Sequence, residues 1–291
     1  MSIVKSFSVG NGDMFYIKHG NDNFTVIDCF IDESNEEEIV SEIINESKNK
    51  GIKRFISTHP DEDHIQGIKY LNDNWPIYNF YCVKNEAKKD EATESFEEYC
   101  KLRDGDKAFY VKTGCSRKWM NCSDEERGSA GISFLWPNTD NEDFKTVLDS
   151  VKEGESPNNL SPIFRYNCAF SFMWMGDIER DFLDKVANNI EFSAVDILFA
   201  PHHGRGSGKV PKEILEILDP QIIVIGEAPS EYLDYYNGYN TITQNSSGDI
   251  IFDVTDGCVD IYVGKCNYSV DFLADKKKER FSNYIGTLET R

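Results

Sequence analysis

KRFISTHPDEDHIQG, residues 53–67, packs a β-type apolar run, a cluster of histidines and carboxylates, and the start of a helical pattern into one short stretch. Lys53–Ser57 reads as a short strand and Ile65–Leu71 as a helix, so His59, Asp61, Asp63 and His64 lie on a strand-to-helix loop. Imidazole and carboxylate are the ligands that borderline and hard divalent cations select, and a loop lets several such side chains converge on one point. A second cluster, PHHG at 201–204, follows the apolar run Val195–Ala200 and holds His202 and His203. Of the chain's five histidines, four fall in these two motifs. A third candidate, Asp177, stands where the run Phe170–Met175 ends in Gly-Asp. Each alone has a bland reading: HPDED as a solvated turn, Gly-Asp as a common pair, a buried histidine pair as merely hydrogen-bonded. Together, at strand ends, they predict a centre of two adjacent divalent cations with Asp177 as bridging ligand and an activated water as nucleophile.

Outward from these motifs, short β-type runs alternate with longer amphipathic stretches, which is an α/β pattern. Ile3–Val9, Met14–Lys18 and Phe24–Cys29 read as a meander broken by GNGD and HGNDN turns. Glu36–Lys50 reads as a helix with Ser34 as its cap and Gly51 as its stop. Residues 82–130 read as an insertion with a charged helix near Glu91–Lys101 and a strand near Ala108–Val111. A strand in GISFLWP, a helix near Asp143–Val151 and strands Pro162–Tyr166 and Phe170–Met175 follow. Further on come a helix Asp181–Asn188, a helix Pro211–Leu218, a strand Ile222–Ile225 and a closing hairpin, Asp249–Val254 with Val259–Val263. The expected organisation is one domain over 1–270 and a polar tail over 271–291.

At 291 residues and 40% hydrophobic content the chain is long and apolar enough for one substantial core. No apolar run reaches the roughly 18 residues a membrane helix needs, and the opening MSIVKSFSVGNGDMFYI lacks a secretory pattern, so a cytoplasmic protein without membrane contact is expected. The eight cysteines contain no CxxC pair and are expected to be reduced and mostly buried, with Cys115 and Cys122 the one close pair. A net charge of -20 opposes indiscriminate nucleic-acid binding, because such affinity comes from Lys and Arg displacing counterions. It leaves a small substrate, a local basic groove, or a partner that supplies positive charge; a protein partner or a homo-oligomer is a separate expectation. Arg205 and Lys209 lie in RGSGK directly after the histidine pair, where two cations on a glycine-rich loop either hold a phosphate or belong to a solvated turn.

THPDEDHIQG resembles the HxHxDH motif of the metallo-β-lactamase superfamily, in the HxDxDH form of the ComEC-type competence nuclease branch. FSVGNGDMFYI is similar to that branch's opening VGxGD segment, TVIDCF to its strand ending at Asp28, and PNNLSPIFRY to its Asn-Asn-x-Ser strand. FMWMGDIE and ILFAPHHGRGSG are similar to its GD and HHG motifs, so the likeness spans most of residues 3–263 apart from about 82–130. It implies an αββα sandwich of two mixed β-sheets flanked by helices. It further implies that His59 and Asp61 hold one metal, that Asp63 and His64 hold the second, and that Asp177 bridges them. Either His202 or His203 completes the second site; the predicted assignment puts His202 on the metal and His203, with Asp63 and Asp177, in catalysis. Asp28 matches the aspartate that orients a ligating histidine, and Asn11, Asp13, Asn159 and Ser161 match motifs that line the substrate site. No histidine lies between His64 and His202 to act as the third nitrogen ligand of the first metal, which makes that site oxygen-rich and suits zinc or manganese.

The function implied is a phosphodiesterase or nuclease acting on nucleic acid or a nucleotide. The alternatives are hydrolysis of acyl esters, thioesters or lactams by the same activated water, and a metal-binding regulatory module without catalysis.

Overall fold

The computed structural model describes residues 1–291. Six strands come first: β1 (Ser2–Ser6), β2 (Phe15–Lys18), β3 (Asn23–Ile27), β4 (Ile52–Ile56), β5 (Phe80–Cys82) and β6 (Ala108–Tyr110). The next six are β7 (Ile132–Trp136), β8 (Ile163–Asn167), β9 (Ser171–Trp174), β10 (Ile197–Phe199), β11 (Ile222–Ile225) and β12 (Thr241–Thr243). The last three are β13 (Ile250–Val254), β14 (Cys258–Val263) and β15 (Tyr284–Glu289). One sheet runs β15-β14-β13-β1-β2-β3-β4-β5-β6 and the other β12-β11-β10-β9-β8-β7. Both are mixed: pairing is parallel from β3 to β6 and from β9 to β12, and antiparallel elsewhere.

The sheets face each other across an aromatic seam. Phe15 of β2 meets Trp174 of β9 and Phe199 of β10 at ring-centroid distances of 6.0 and 5.0 Å, and Phe252 of β13 meets Phe172 at 5.7 Å. Helix α1 (Glu36–Ser47) buries Ile39, Val40 and Ile43, and Trp75, just after the helix Ile68–Asn74, packs edge-on against Phe24 of the first sheet. On the far side, Phe144 of the helix Glu142–Lys152 and Phe182 of the helix Arg180–Val186 pack on Trp136 of β7. The expected α/β class and helix-sheet-sheet-helix layering are therefore the architecture found. No helix is long and apolar enough to cross a membrane.

Several local expectations are revised. The charged region 82–130 is built into the first sheet, because β6 pairs with β5 in parallel and the helix Glu94–Arg103, capped by Thr93, buries Phe96, Tyr99 and Leu102. Within 271–291 the polar run ends in β15, which pairs with β14 over Cys258–Tyr262. Ser34 does not cap α1: its hydroxyl turns back to the carboxylate of Asp32, and Asn35 holds the cap position. The helix expected over Ile65–Leu71 is two pieces, Glu62–Ile65 and Ile68–Asn74, because the Gly67 amide leaves the helical ladder to bond Cys29 O. A side chain at 67 would collide with Ile31. All eight cysteines are free thiols, yet only Cys29 and Cys82 are fully buried.

Phe199 is 5% exposed and touches aromatic rings from both sheets, so Phe199→Ala is expected to lower unfolding free energy by about 3–5 kcal/mol, read from denaturant titration.

Candidate metal centre

The ends of the parallel strands carry the site. Asp28 follows β3, Thr58 and His59 follow β4, Asp177 follows β9, and His202 and His203 follow β10. Ligand sites of α/β sheets form at such carboxyl ends because the strand stops while its neighbours hold the loop in place. Here the loops are also laced to one another. Asp28 N bonds Ile56 O at 2.9 Å, Asp13 N bonds Asp63 O at 3.0 Å, and His202 N bonds Gly176 O at 2.9 Å. The last contact needs Gly176, whose φ is +51° and where a Cβ would come within 2.6 Å of Ser161 Oγ.

His64 is oriented from behind. Its Nδ1 lies 2.9 Å from Asp28 Oδ2, and Asp28 also accepts from Thr58 N at 2.8 Å and Thr58 Oγ at 2.6 Å. His203 repeats the device, with Nδ1 3.2 Å from Asp13 Oδ1. With both Nδ1 atoms engaged, the Nε2 atoms turn to the same carboxylates: His64 Nε2 is 3.1 Å from Asp177 Oδ1, and His203 Nε2 is 3.3 Å from Asp63 Oδ2 and 3.4 Å from Asp177 Oδ2. Asp177 is aligned by Ser161, whose hydroxyl oxygen accepts from Asp177 N at 2.9 Å.

Potential ligand atoms fall into two overlapping groups, Asp13/His64/Asp177/His203 and His59/Asp63/His64, each with its atoms within 4.8 Å of one another. His59 Nε2, His64 Nε2 and Asp177 Oδ1 are buried and without a hydrogen-bond partner; the 3.1 Å between the last two lacks hydrogen-bonding geometry. Buried polar atoms are almost always satisfied, so three orphans converging here fit a divalent cation as the missing partner.

The electrostatics agree. Burial, helped by the neighbouring His64 charge, holds His59 down at about 3, which keeps it a neutral donor. Burial also opposes protonation of His64 and His203, but Asp177 and Asp28 around the first, and Asp177 and Asp13 around the second, outweigh it and raise both well above the ordinary histidine value. Burial would raise Asp63, yet its hydrogen bond from His203 and the charge of His64 bring it to about 2. Without metal, protons on two imidazoles neutralise part of a four-carboxylate cluster, and a cation would displace them.

The remaining expected residues are placed as follows. His202 sits at the mouth, partly exposed, with Nδ1 3.0 Å from Ser207 Oγ and Nε2 3.7 Å from Asp177. His203 rather than His202 therefore shares the carboxylate cluster, because only its Nδ1 has a carboxylate behind it. Asp61 is in neither group: as the residue opening the helix Glu62–Ile65 it turns outward, and its carboxylate lies 3.3 Å from Lys89 Nζ. Asp13 backs His203 and Ser161 backs Asp177, while Asn159 exchanges hydrogen bonds with Glu179. Arg205 donates to Asn11 Oδ1 at 2.5 Å, and Lys209 pairs with Asp234 at 2.8 Å. Sequence reasoning missed Thr58, which braces Asp28, and Glu227, which accepts from Ser8 Oγ at 2.7 Å and Gly10 N at 2.5 Å and so anchors the loop carrying Asp13. Thr58 adjoins the histidine motif; for Glu227 no local signal exists.

No protein-family model matches the sequence, and no curated protein matches it. Solved structures do. A mutant of the CmlA β-hydroxylase aligns with a TM-score of 0.50 at 12% identity, over 87% of this chain and 54% of that one. CmlA itself, a diiron β-hydroxylase from Streptomyces venezuelae, aligns at 0.44 and 13% identity over 80% and 47%. A structure assigned as a Zn-dependent hydrolase of the metallo-β-lactamase superfamily, from Thermotoga maritima, aligns at 0.36 and 12% identity over 80% and 79%. The chain thus spans about half of the hydroxylase. Over the aligned part it shares the fold of the CmlA hydroxylase, and its own residues carry any reading of chemistry.

Two outcomes are expected. Asp28→Asn, which removes the charge behind His64, weakens metal binding about 10- to 100-fold in a chelator competition. Metal binding to the metal-free protein also releases protons from His64 and His203, so affinity rises with pH; calorimetry in buffers of different ionisation heat reads that release directly.

Proposed function

We propose that this protein is a metal-dependent hydrolase acting on phosphodiester bonds, with nucleic acid or a nucleotide as substrate and zinc or manganese as its metal. The observation that carries the metal is the set of orphaned ligand atoms on His59, His64 and Asp177. The substrate charge is read from the mouth of the site. Arg205, two residues past the histidine pair, donates to a neutral amide instead of a carboxylate. A cation held without a carboxylate partner is a selective feature on a chain of net charge -20, and a guanidinium group matches phosphate oxygens in geometry.

In this reading His64, Asp177 and His203, with Asp13 beside them, would hold one cation, and His59 and Asp63, with His64 beside them, would hold the other. Bound divalent cations would lower the pKa of water and stabilise charge on an attacked phosphoryl oxygen. Asp28 and Asp13 fix the Nδ1 atoms of His64 and His203, so the Nε2 lone pairs stay directed inward. Ser161 and Thr58 fix Asp177 and Asp28 through hydrogen bonds that cost nothing to reorganise during turnover. His202 Nε2, at the mouth, is placed to move a proton to or from substrate.

Metal content and hydrolysis of bis(p-nitrophenyl) phosphate, DNA and RNA with zinc or manganese test the proposal. The wild type is expected to bind one to two ions and cleave, and Asp63→Ala/Asp177→Ala to do neither. His203→Ala should lose metal, whereas His202→Ala should keep it and lose about 10²- to 10⁴-fold in kcat/KM. A metal-loaded wild type inert on all three substrates overturns the phosphodiesterase reading.

A further inference from the structure

Residues 231–239, EYLDYYNGY, follow β11 and lie against the loop that carries the histidine pair. The two loops are joined backbone to backbone. Gly206 N bonds Tyr232 O at 2.9 Å, Asp234 N bonds Gly204 O at 2.9 Å, and Arg205 and Leu233 form an isolated antiparallel bridge. Side chains complete the attachment. Lys209 pairs with Asp234, and the buried Tyr236 accepts from Val210 N through its hydroxyl at 3.1 Å. The tyrosine loop is thereby fixed to the mouth of the metal centre.

Tyr236 anchors this loop from inside, but Tyr232 and Tyr235 are 56% and 45% exposed. Most of the chain's aromatic rings pack in the seam between the sheets or against helices; these two instead face outward on a loop held within a few residues of His203. One exposed tyrosine requires no explanation. Two on a short, firmly anchored loop, whose backbone is bridged to Arg205 at Leu233, put flat π-faces on the segment joined to the one that carries a guanidinium. That combination is how proteins hold nucleic acid whose bases are unpaired: bases stack on aromatic rings while cations follow the phosphates. In a duplex the base faces are already covered by neighbouring bases, so such a surface discriminates in favour of single strands.

We infer that Tyr232 and Tyr235 form a base-stacking platform, so that single-stranded nucleic acid is the substrate class of this site. The inference rests on the phosphodiesterase reading for the chemistry and on the tyrosine loop for recognition. Charge sharpens it. At -20 overall, the protein draws little non-specific affinity from phosphate, and stacking must supply a correspondingly larger share of binding.

The test separates binding from cleavage. Fluorescence anisotropy measures affinity for a short, labelled, phosphorothioate-backbone oligothymidylate and for an abasic oligomer of the same length, with metal-loaded protein. Wild type is expected to prefer the base-bearing strand. Tyr232→Ala/Tyr235→Ala should weaken its binding roughly 5- to 100-fold without changing affinity for the abasic strand, and Tyr232→Phe/Tyr235→Phe should restore it. Equal affinity of the alanine pair and wild type for oligothymidylate overturns the platform, as does wild-type binding that ignores the bases. Cleavage of an ordinary oligothymidylate is read separately: tyrosine-dependent binding without cleavage keeps the platform and removes the hydrolase reading.

Discussion

The carboxylate of Asp28, with no access to solvent, accepts three hydrogen bonds: from the amide and hydroxyl of Thr58 and from His64 Nδ1. It stands at the end of β3, and Thr58 stands just beyond the end of β4, so one buried charge ties two adjacent parallel strands to the first histidine of the carboxylate cluster. Burial pushes its pKa up, and only the charge of His64 and the hydrogen bonds oppose that. A group this costly to desolvate persists where its partners are fixed. The rest of the centre inherits its geometry: His64 turns Nε2 toward Asp177, and Asp177 in turn meets His203.

Part of the chain's backbone strain lies in the same place. Asp28, His202 and His203 all adopt positive φ, at 53°, 54° and 54°, a region that non-glycine residues rarely occupy. Such conformations cost on the order of 1–3 kcal/mol each and survive only when the surroundings over-determine them. Here the aromatic seam between the sheets and the hydrogen bonds between loops do so. The positive-φ backbone at 202–204 turns two consecutive histidines in different directions, one into the cluster and one to the mouth.

The distribution of charge follows the same logic. Carboxylates crowd the centre, where a cation would neutralise them, while Arg205, just past the histidine pair, bonds the neutral amide of Asn11. Asp61, although embedded in the histidine motif, is drawn out of the cluster and pairs with Lys89, which also meets Glu62 at 3.1 Å. Acidic residues in the motif thus divide between Asp63, half-buried and turned toward His203, and Asp61 in a surface ion pair.

The α/β class, the strand ends that carry the candidate site, and the gathering of four histidines in two loops were legible in the sequence, because periodicity and motif spacing are local properties of the chain. The sequence also marked Asp28, Asp63, His64 and Asp177 as candidates, and each stands at a strand or motif end that the fold brings to the same place. Which of His202 and His203 enters the cluster was not legible, since that depends on a carboxylate, Asp13, more than a hundred residues earlier in the chain. The same holds for the attachment of residues 231–239 to the histidine loop, the anchoring role of Glu227, and the pairing of β15 with β14. Each is set by backbone hydrogen bonds or side-chain contacts between segments far apart in sequence, and nothing in the local pattern of either segment encodes its partner.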